Sequence, residues 1–216
     1  MKPSRFTRRI GATAATLLLL AMASASHAQA PACGTLANHY GPFDYRTQRD
    51  KLEIVERYHF TPSVESLRAG ASSARLGDDI SYLLGTSPNH HRGLLAVMRL
   101  SEKEKSPHPK NLRYSVDCYF DRAIRFQRND TTVRMLYAQY LQKQKRTPEA
   151  LAQLQVASDL AKDNGFTNYN IGLVYFEMGQ YDLALAQAHK AKALGFDQPE
   201  LAQMLTAKNK WKEPAN

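Results

Sequence analysis

Downstream of residue 30 the side chains best suited to chemistry are His39, His59, His90, His91, His108 and His189, with Cys33 and Cys118. Imidazoles bind metals and move protons near neutral pH. A metal site needs several of them to converge. The adjacent pair His90-His91 diverges by about 100° on a helix. His39, His59 and His90 are therefore only weak metal candidates. Together with Asp44 they define an alternative reading, a metal-dependent or enzymatic accessory with its site in the N-terminal half. The chain contains no H-E-x-x-H, G-x-S-x-G, G-x-x-x-x-G-K-[ST] or C-x-x-C, the spacings that build zinc, serine-nucleophile, phosphate and dithiol sites. Two cysteines cannot make a disulfide-rich miniprotein or a four-cysteine zinc site. The expectation is a protein that is not an enzyme and that carries no cofactor or metal.

The basic residues are a second source of chemistry. Among 216 residues, 29 Lys and Arg stand against 20 Asp and Glu, a formal charge of +9. Four of these cations, Lys2, Arg5, Arg8 and Arg9, precede an apolar stretch from Ile10 to Met22 and the small-residue run that ends Ala28-Gln29-Ala30. This is the layout of a secretory signal peptide over residues 1–28, with a cut after Ala28 or, as the alternative, Ala30. The apolar run falls short of the roughly 20 residues that span a bilayer. Removing the segment leaves 25 cations against 20 acids, too mild an excess to imply nucleic acid. The expected product is exported, periplasmic or secreted, and soluble, without an integral membrane segment. Arg122, Arg125 and Arg128, and the group Lys143, Lys145 and Arg146 at a helix end, read as solvated faces, the alternative being an anionic partner.

These side chains must be carried by a repeating scaffold. The chain is long enough, at 43% apolar residues, to bury a sizeable core. Thr131–Asn164 aligned on Gly165–Gln198 places Tyr137 over Ile171, Ala138 over Gly172, Leu141 over Tyr175, Ala150 over Ala184, Leu154 over Ala188 and Ala157 over Ala191. The period is 34 residues. Small residues recur where two antiparallel helices approach most closely, and larger ones fill the space between. Gly179 is placed to end the first helix of the last unit, with Asp182 opening the second.

Gly172-x-x-Tyr175, Gly179-x-Tyr181, Ala184, Ala188 and Ala191 resemble the signature of the tetratricopeptide repeat family. Asn168 and Arg134 stand where that family usually has Trp. The words His39–Arg46, His59–Pro62 and Pro88–Arg92 are similar to those of exported bacterial tetratricopeptide proteins of unknown role. The resemblance implies an all-α fold, a right-handed α-solenoid of helix hairpins. Its expected parts are an irregular N-terminal segment at 29–61, degenerate hairpins at 62–130 with a loop insertion near 102–111, two regular units at 131–198, and a capping helix and tail at 199–216, capped by Asp197. In this register Cys118 sits on the outer side of a second helix, half-exposed. In an oxidising compartment it is expected to pair with Cys33, the alternative being two free thiols.

The resemblance also implies a function: an adaptor or scaffold whose concave groove binds a protein or peptide partner, in envelope or secretion-complex assembly. Carrying the groove positions across gives Arg92, Leu95 and Arg99 from the first regular unit. The next unit gives Met135, Gln139, Gln142 and Lys143. The last gives Phe166, Tyr169, Leu173, Phe176 and Glu177, the alternative for its apolar members being that they pack beneath the capping helix. An apolar patch beside a basic one suits a peptide with apolar anchors and an acidic end.

Overall fold

The computed structural model describes residues 32–214; the signal-peptide expectation lies outside them. Among the described residues there are ten α-helices and one short 3-10 turn, and no strand. The helices are α1 (Glu53–His59), α2 (Pro62–Glu65), α3 (Leu76–Thr86), α4 (His91–Glu104) and α5 (Val116–Phe126), then α6 (Thr131–Lys143), α7 (Thr147–Ala161), α8 (Gly165–Glu177), α9 (Tyr181–Ala193) and α10 (Pro199–Ala207).

The period seen in the sequence is visible in the helix boundaries. Thr131, Gly165 and Pro199 open α6, α8 and α10 at a spacing of 34, and Thr147 and Tyr181 open α7 and α9 at the same spacing. The start signals repeat with it. Asp130 accepts the Val133 N–H and Asn164 accepts the Thr167 N–H, each satisfying a donor that the first helical turn leaves unpaired. His90 does the same for α4 through Nδ1, at 3.0 Å from the Gly93 nitrogen. The stop signals repeat as well. Lys105, Lys145 and Gly179 take positive φ after α4, α6 and α8. Each is followed by a residue whose N–H bonds back into the helix, Ser106 to Ser101, Arg146 to Leu141 and Gln180 to Tyr175. That closing turn suits glycine, which only the last has.

The hairpins α6–α7 and α8–α9 pack closely, and the leading helices also touch in series, α4 with α6, α6 with α8 and α8 with α10. The small side chains sit where the helices meet. Ala138, Ala150, Ala157 and Ala184 are fully buried. A Cβ on Gly172 would stand 2.6 Å from Leu201 Cδ2 and 3.2 Å from Gln187 Cβ, so no larger residue fits there without displacement. Two apolar clusters result, and α6 serves both: Val133 and Tyr140 belong to the first, Ala138 and Leu141 to the second. Each buried Leu or Ile, such as Leu154 or Ile171, contributes about 1.5–3 kcal/mol. α10 covers the end of the second cluster with Leu201 and Leu205.

Residues 32–52 run against the first cluster. Cys33 is disulfide-bonded to Cys118 on α5, a pairing that fits an oxidising compartment. Phe43 donates its N–H to the Thr86 carbonyl, which lies 2.5 Å from where a Cβ on Gly41 would be. Gly41 also has φ +94°, so only glycine suits this approach. No helix among the described residues is long and apolar enough to cross a membrane.

Four expectations need correction. Arg122 and Arg125 are not a solvated stripe. Arg122 is buried and donates to the Cys33 and Thr35 carbonyls, and Arg125 donates to the Gly34 carbonyl. The segment carrying Cys33 covers that face of α5, which periodicity alone assigns to water. Asp197 does not cap α10; Gln198 holds the cap position without a side-chain bond. α4 runs on through Glu104, so the inserted loop begins at Lys105 and not at Glu102. The partial unit expected to open near Pro62 has only the four-residue α2 as its first helix, because Leu67 turns to φ +57°.

Candidate functional site

The leading helices α4, α6 and α8 present one face each to a trough made of two adjoining hollows, about 370 and 390 Å³. Residues three and four apart lie on one helical face, and the lining follows that rule. α4 contributes Leu95, Met98, Arg99 and Glu102. α6 contributes Met135, Leu136, Gln139, Gln142 and Lys143, and α8 contributes Phe166, Leu173, Val174 and Glu177. Gln139, Val174 and Glu177 line both hollows. Phe166 is 60% exposed at one end, held edge-on against Phe196.

Of the twelve groove residues expected from the repeat, nine come together here. Three do not. Tyr169 is buried, its ring against Phe196 and its hydroxyl toward Glu200, because α10 covers that face of α8. Phe176 packs edge-on against Tyr181. Arg92 is forked onto Glu65 and faces α1 and α2. The basic end is also smaller than expected. Lys143 is paired with Glu102 at 2.6 Å, while Arg146 is held by Asp117 and Glu149. Arg99 takes part in none of the ion pairs among the described residues, and so is the cation the trough offers.

The histidines do not gather. His39 and His59 flank Tyr82 in an open cleft of about 470 Å³ with Tyr58 and Ile54. His59 Nδ1 is 2.8 Å from Asp79 Oδ1. Asp79 is fully buried and also accepts the Ala71 and Ser73 N–H groups, so it is an acceptor and His59 Nδ1 carries the proton. His90 lies elsewhere, wholly buried against Tyr45 and Phe60. Its Nδ1 accepts from Gly93 and its Nε2–H donates to Glu56 at 2.8 Å, which leaves no nitrogen for a metal. Burial pulls its imidazole below the ordinary pKa, against the Glu56 carboxylate, which favours protonation. Among the described residues no three His, Cys, Asp or Glu side chains are placed to hold a metal ion.

Compared with known proteins, the chain matches no family model, no curated protein and no solved structure.

Asp44 belongs to a different cluster, which sequence reasoning missed. Asn89 Nδ2 donates to Asp44 Oδ1 at 2.8 Å and to Asp130 Oδ2 at 2.9 Å, and Asn89 Oδ1 accepts the Tyr45 N–H. Arg46 forks onto Asp44, and His91 Nε2 reaches Asp130. Burial opposes ionisation of Asp44, but bonds from Arg46 and Asn89 outweigh it and hold the pKa at about 2. The words around Asp44 and Asn89 thus tie the N-terminal segment to the start of α6. Leu136 and Val174 of the trough were also missed; each lies three positions before an expected groove residue, Gln139 and Glu177, and that spacing could have found them.

Proposed function

We propose that the chain is an exported adaptor: a right-handed α-solenoid of tetratricopeptide-like hairpins that holds an apolar segment of a protein partner in the α4–α6–α8 trough. The single observation that carries this reading is the trough itself, with Leu95, Met135, Leu173 and Val174 lining it on successive leading helices and Phe166 exposed at its end. Apolar surface of this kind, rimmed by polar groups, marks interaction sites. The 34-residue spacing of helix starts supports the repeat assignment. The disulfide supports export, to the periplasm or beyond. With Lys143 already neutralised by Glu102, the partner is recognised chiefly by apolar anchors, and Arg99 takes at most a single acidic group.

A photoreactive amino acid placed at Phe166 in the full-length protein, expressed in its native compartment, tests this. It should crosslink to a defined protein, with crosslinking lost on Leu173→Asp while the helical circular dichroism persists. A probe at Gln155, exposed on α7, should not capture that protein. Equal capture at both positions, or capture at Phe166 that survives Leu173→Asp, would defeat the proposal.

A further inference from the structure

A separate cavity of about 170 Å³ lies beneath the N-terminal segment, walled by that segment, α3, the end of the α4–α5 loop and α5. Arg113 and Arg122 both line it, and no carboxylate is among its lining residues. Arg122 is only 4% exposed. Its Nη1 is spent on the Cys33 and Thr35 carbonyls, at 3.1 and 2.5 Å. Its Nε is buried without a hydrogen-bond partner among the described residues, and its Nη2 makes no bond there either. The Nε and Nη2 donors lie parallel along one edge of a guanidinium, the geometry that grips a carboxylate or phosphate with two bonds. In this protein that same edge grips Asp44 from Arg46, Glu65 from Arg92 and Glu149 from Arg146. On Arg122 no group among the described residues takes it.

Arg113 adds a second cation. The Arg122 and Arg113 guanidiniums lie 4.6 and 5.4 Å from the centroid of the Tyr114 ring. Arg113 is exposed and Arg122 is buried, and a buried guanidinium without a carboxylate partner is costly. Burial and the nearby Arg125 and Arg113 accordingly pull its pKa down, against the two tyrosines. Two of the other polar side chains of the wall are bonded within the protein. Ser81 Oγ bonds Gly77, Tyr119 and the Arg113 N–H, and Asn38 Nδ2 bonds Tyr40 and Thr86. The hydroxyls of Thr35 and Tyr114 and Asn38 Oδ1 also line the cavity, but no anionic acceptor for the Arg122 edge is among its lining residues.

We propose that this cavity binds a small oxyanion, a carboxylate or a tetrahedral anion, gripped bidentately by Arg122 Nε and Nη2 with Arg113 supplying the second charge. The volume suits a ligand of a few heavy atoms and is below the few hundred Å³ of drug-sized sites. Because Arg122 also holds the carbonyls of residues 33 and 35, the bound anion would fasten the N-terminal segment to α5.

The test is a thermal-shift and calorimetric titration of the disulfide-intact mature protein with sodium phosphate, sulfate and acetate, against sodium chloride at matched ionic strength. A saturable rise in Tm with at least one oxyanion is expected, weakened about tenfold or more by Arg113→Gln and abolished by Arg122→Lys. Response to phosphate and sulfate alone identifies a tetrahedral ligand, and response to acetate a carboxylate. Should Arg122→Lys fail to fold, the Arg122 Nε–H resonance of the wild type decides, since it must shift on titration with the same midpoint. No saturable response beyond chloride, or a response that Arg113→Gln leaves intact with the Arg122 resonance unmoved, overturns the proposal.

Discussion

Asn89→Ala is the most informative single change for the architecture. The Asn89 amide is fully buried and supplies one hydrogen to each of two buried carboxylates, Asp44 and Asp130, while its oxygen takes the Tyr45 N–H. Two hydrogen bonds to ionised acceptors are worth about 1.5–3 kcal/mol each. Arg46 and His91 remain on the carboxylates, and water can follow into the vacated space. The expected loss is therefore about 3–5 kcal/mol, a large share of a typical domain's stability. Urea denaturation at pH 7 with the disulfide intact measures it. The pH dependence gives an independent check. The folded Asp44 pKa, about 2 against 3.8, means that its stabilisation is complete above about pH 5 and lost as pH falls toward 2. Asn89 is one cause of that depression, so the gap between wild type and Asn89→Ala should narrow over this window. A loss below about 1 kcal/mol, or a gap that is constant from pH 5 to pH 2, would refute the reasoning.

Cys33→Ser with Cys118→Ser should cost about 4–5 kcal/mol, since the bond closes a loop of 85 residues in the unfolded chain; denaturant midpoints would show it. Lys145→Gly should stabilise by about 0.5–1 kcal/mol, because Lys145 takes positive φ at the turn where Gly179 stands one period later; a loss of stability would show the turn is not equivalent. His90 has its pKa lowered by burial and caps α4 through an unprotonated Nδ1. Folding is therefore weakened as pH falls below about 6.5, the unfolded value, and the weakening continues down to the depressed native pKa. An NMR titration should find the His90 ring protonating below its ordinary range, and a ring that protonates at its ordinary pKa would contradict this.

The regular part of the fold was legible because small residues at close helix crossings leave a strict trace in the chain. Ala138, Ala150, Ala157 and Ala184 are fully buried, a Cβ on Gly172 would meet Leu201 and Gln187, and the spacing of helix starts followed. The start of α4 was harder to phase, since a long loop separates it from α5. The polar cluster was hidden for a different reason. Asp44, Asn89 and Asp130 are joined over separations of 45 and 41 residues, and no local period reports a contact of that kind. Tyr169 was misplaced because the position alone does not say whether a capping helix will lie over it; Glu200 and Phe196 do.

The outer face of α5 shows where periodic reasoning fails and what the failure means. A repeat assigns inward and outward positions from the hairpin alone, and by that rule Arg122 faces water. Once Cys33 is tied to Cys118, residues 33–35 must lie along α5, and their carbonyls need donors away from solvent. Arg122 and Arg125 provide them. A neutral donor would satisfy three carbonyls with less desolvation than a guanidinium, whose second edge then stays unpaired. The presence of arginine at 122, beside Arg113, is thus more than the strapping of the segment requires. It is this excess of charge, in a walled cavity without a carboxylate, that separates a site for an anion from a simple fastening.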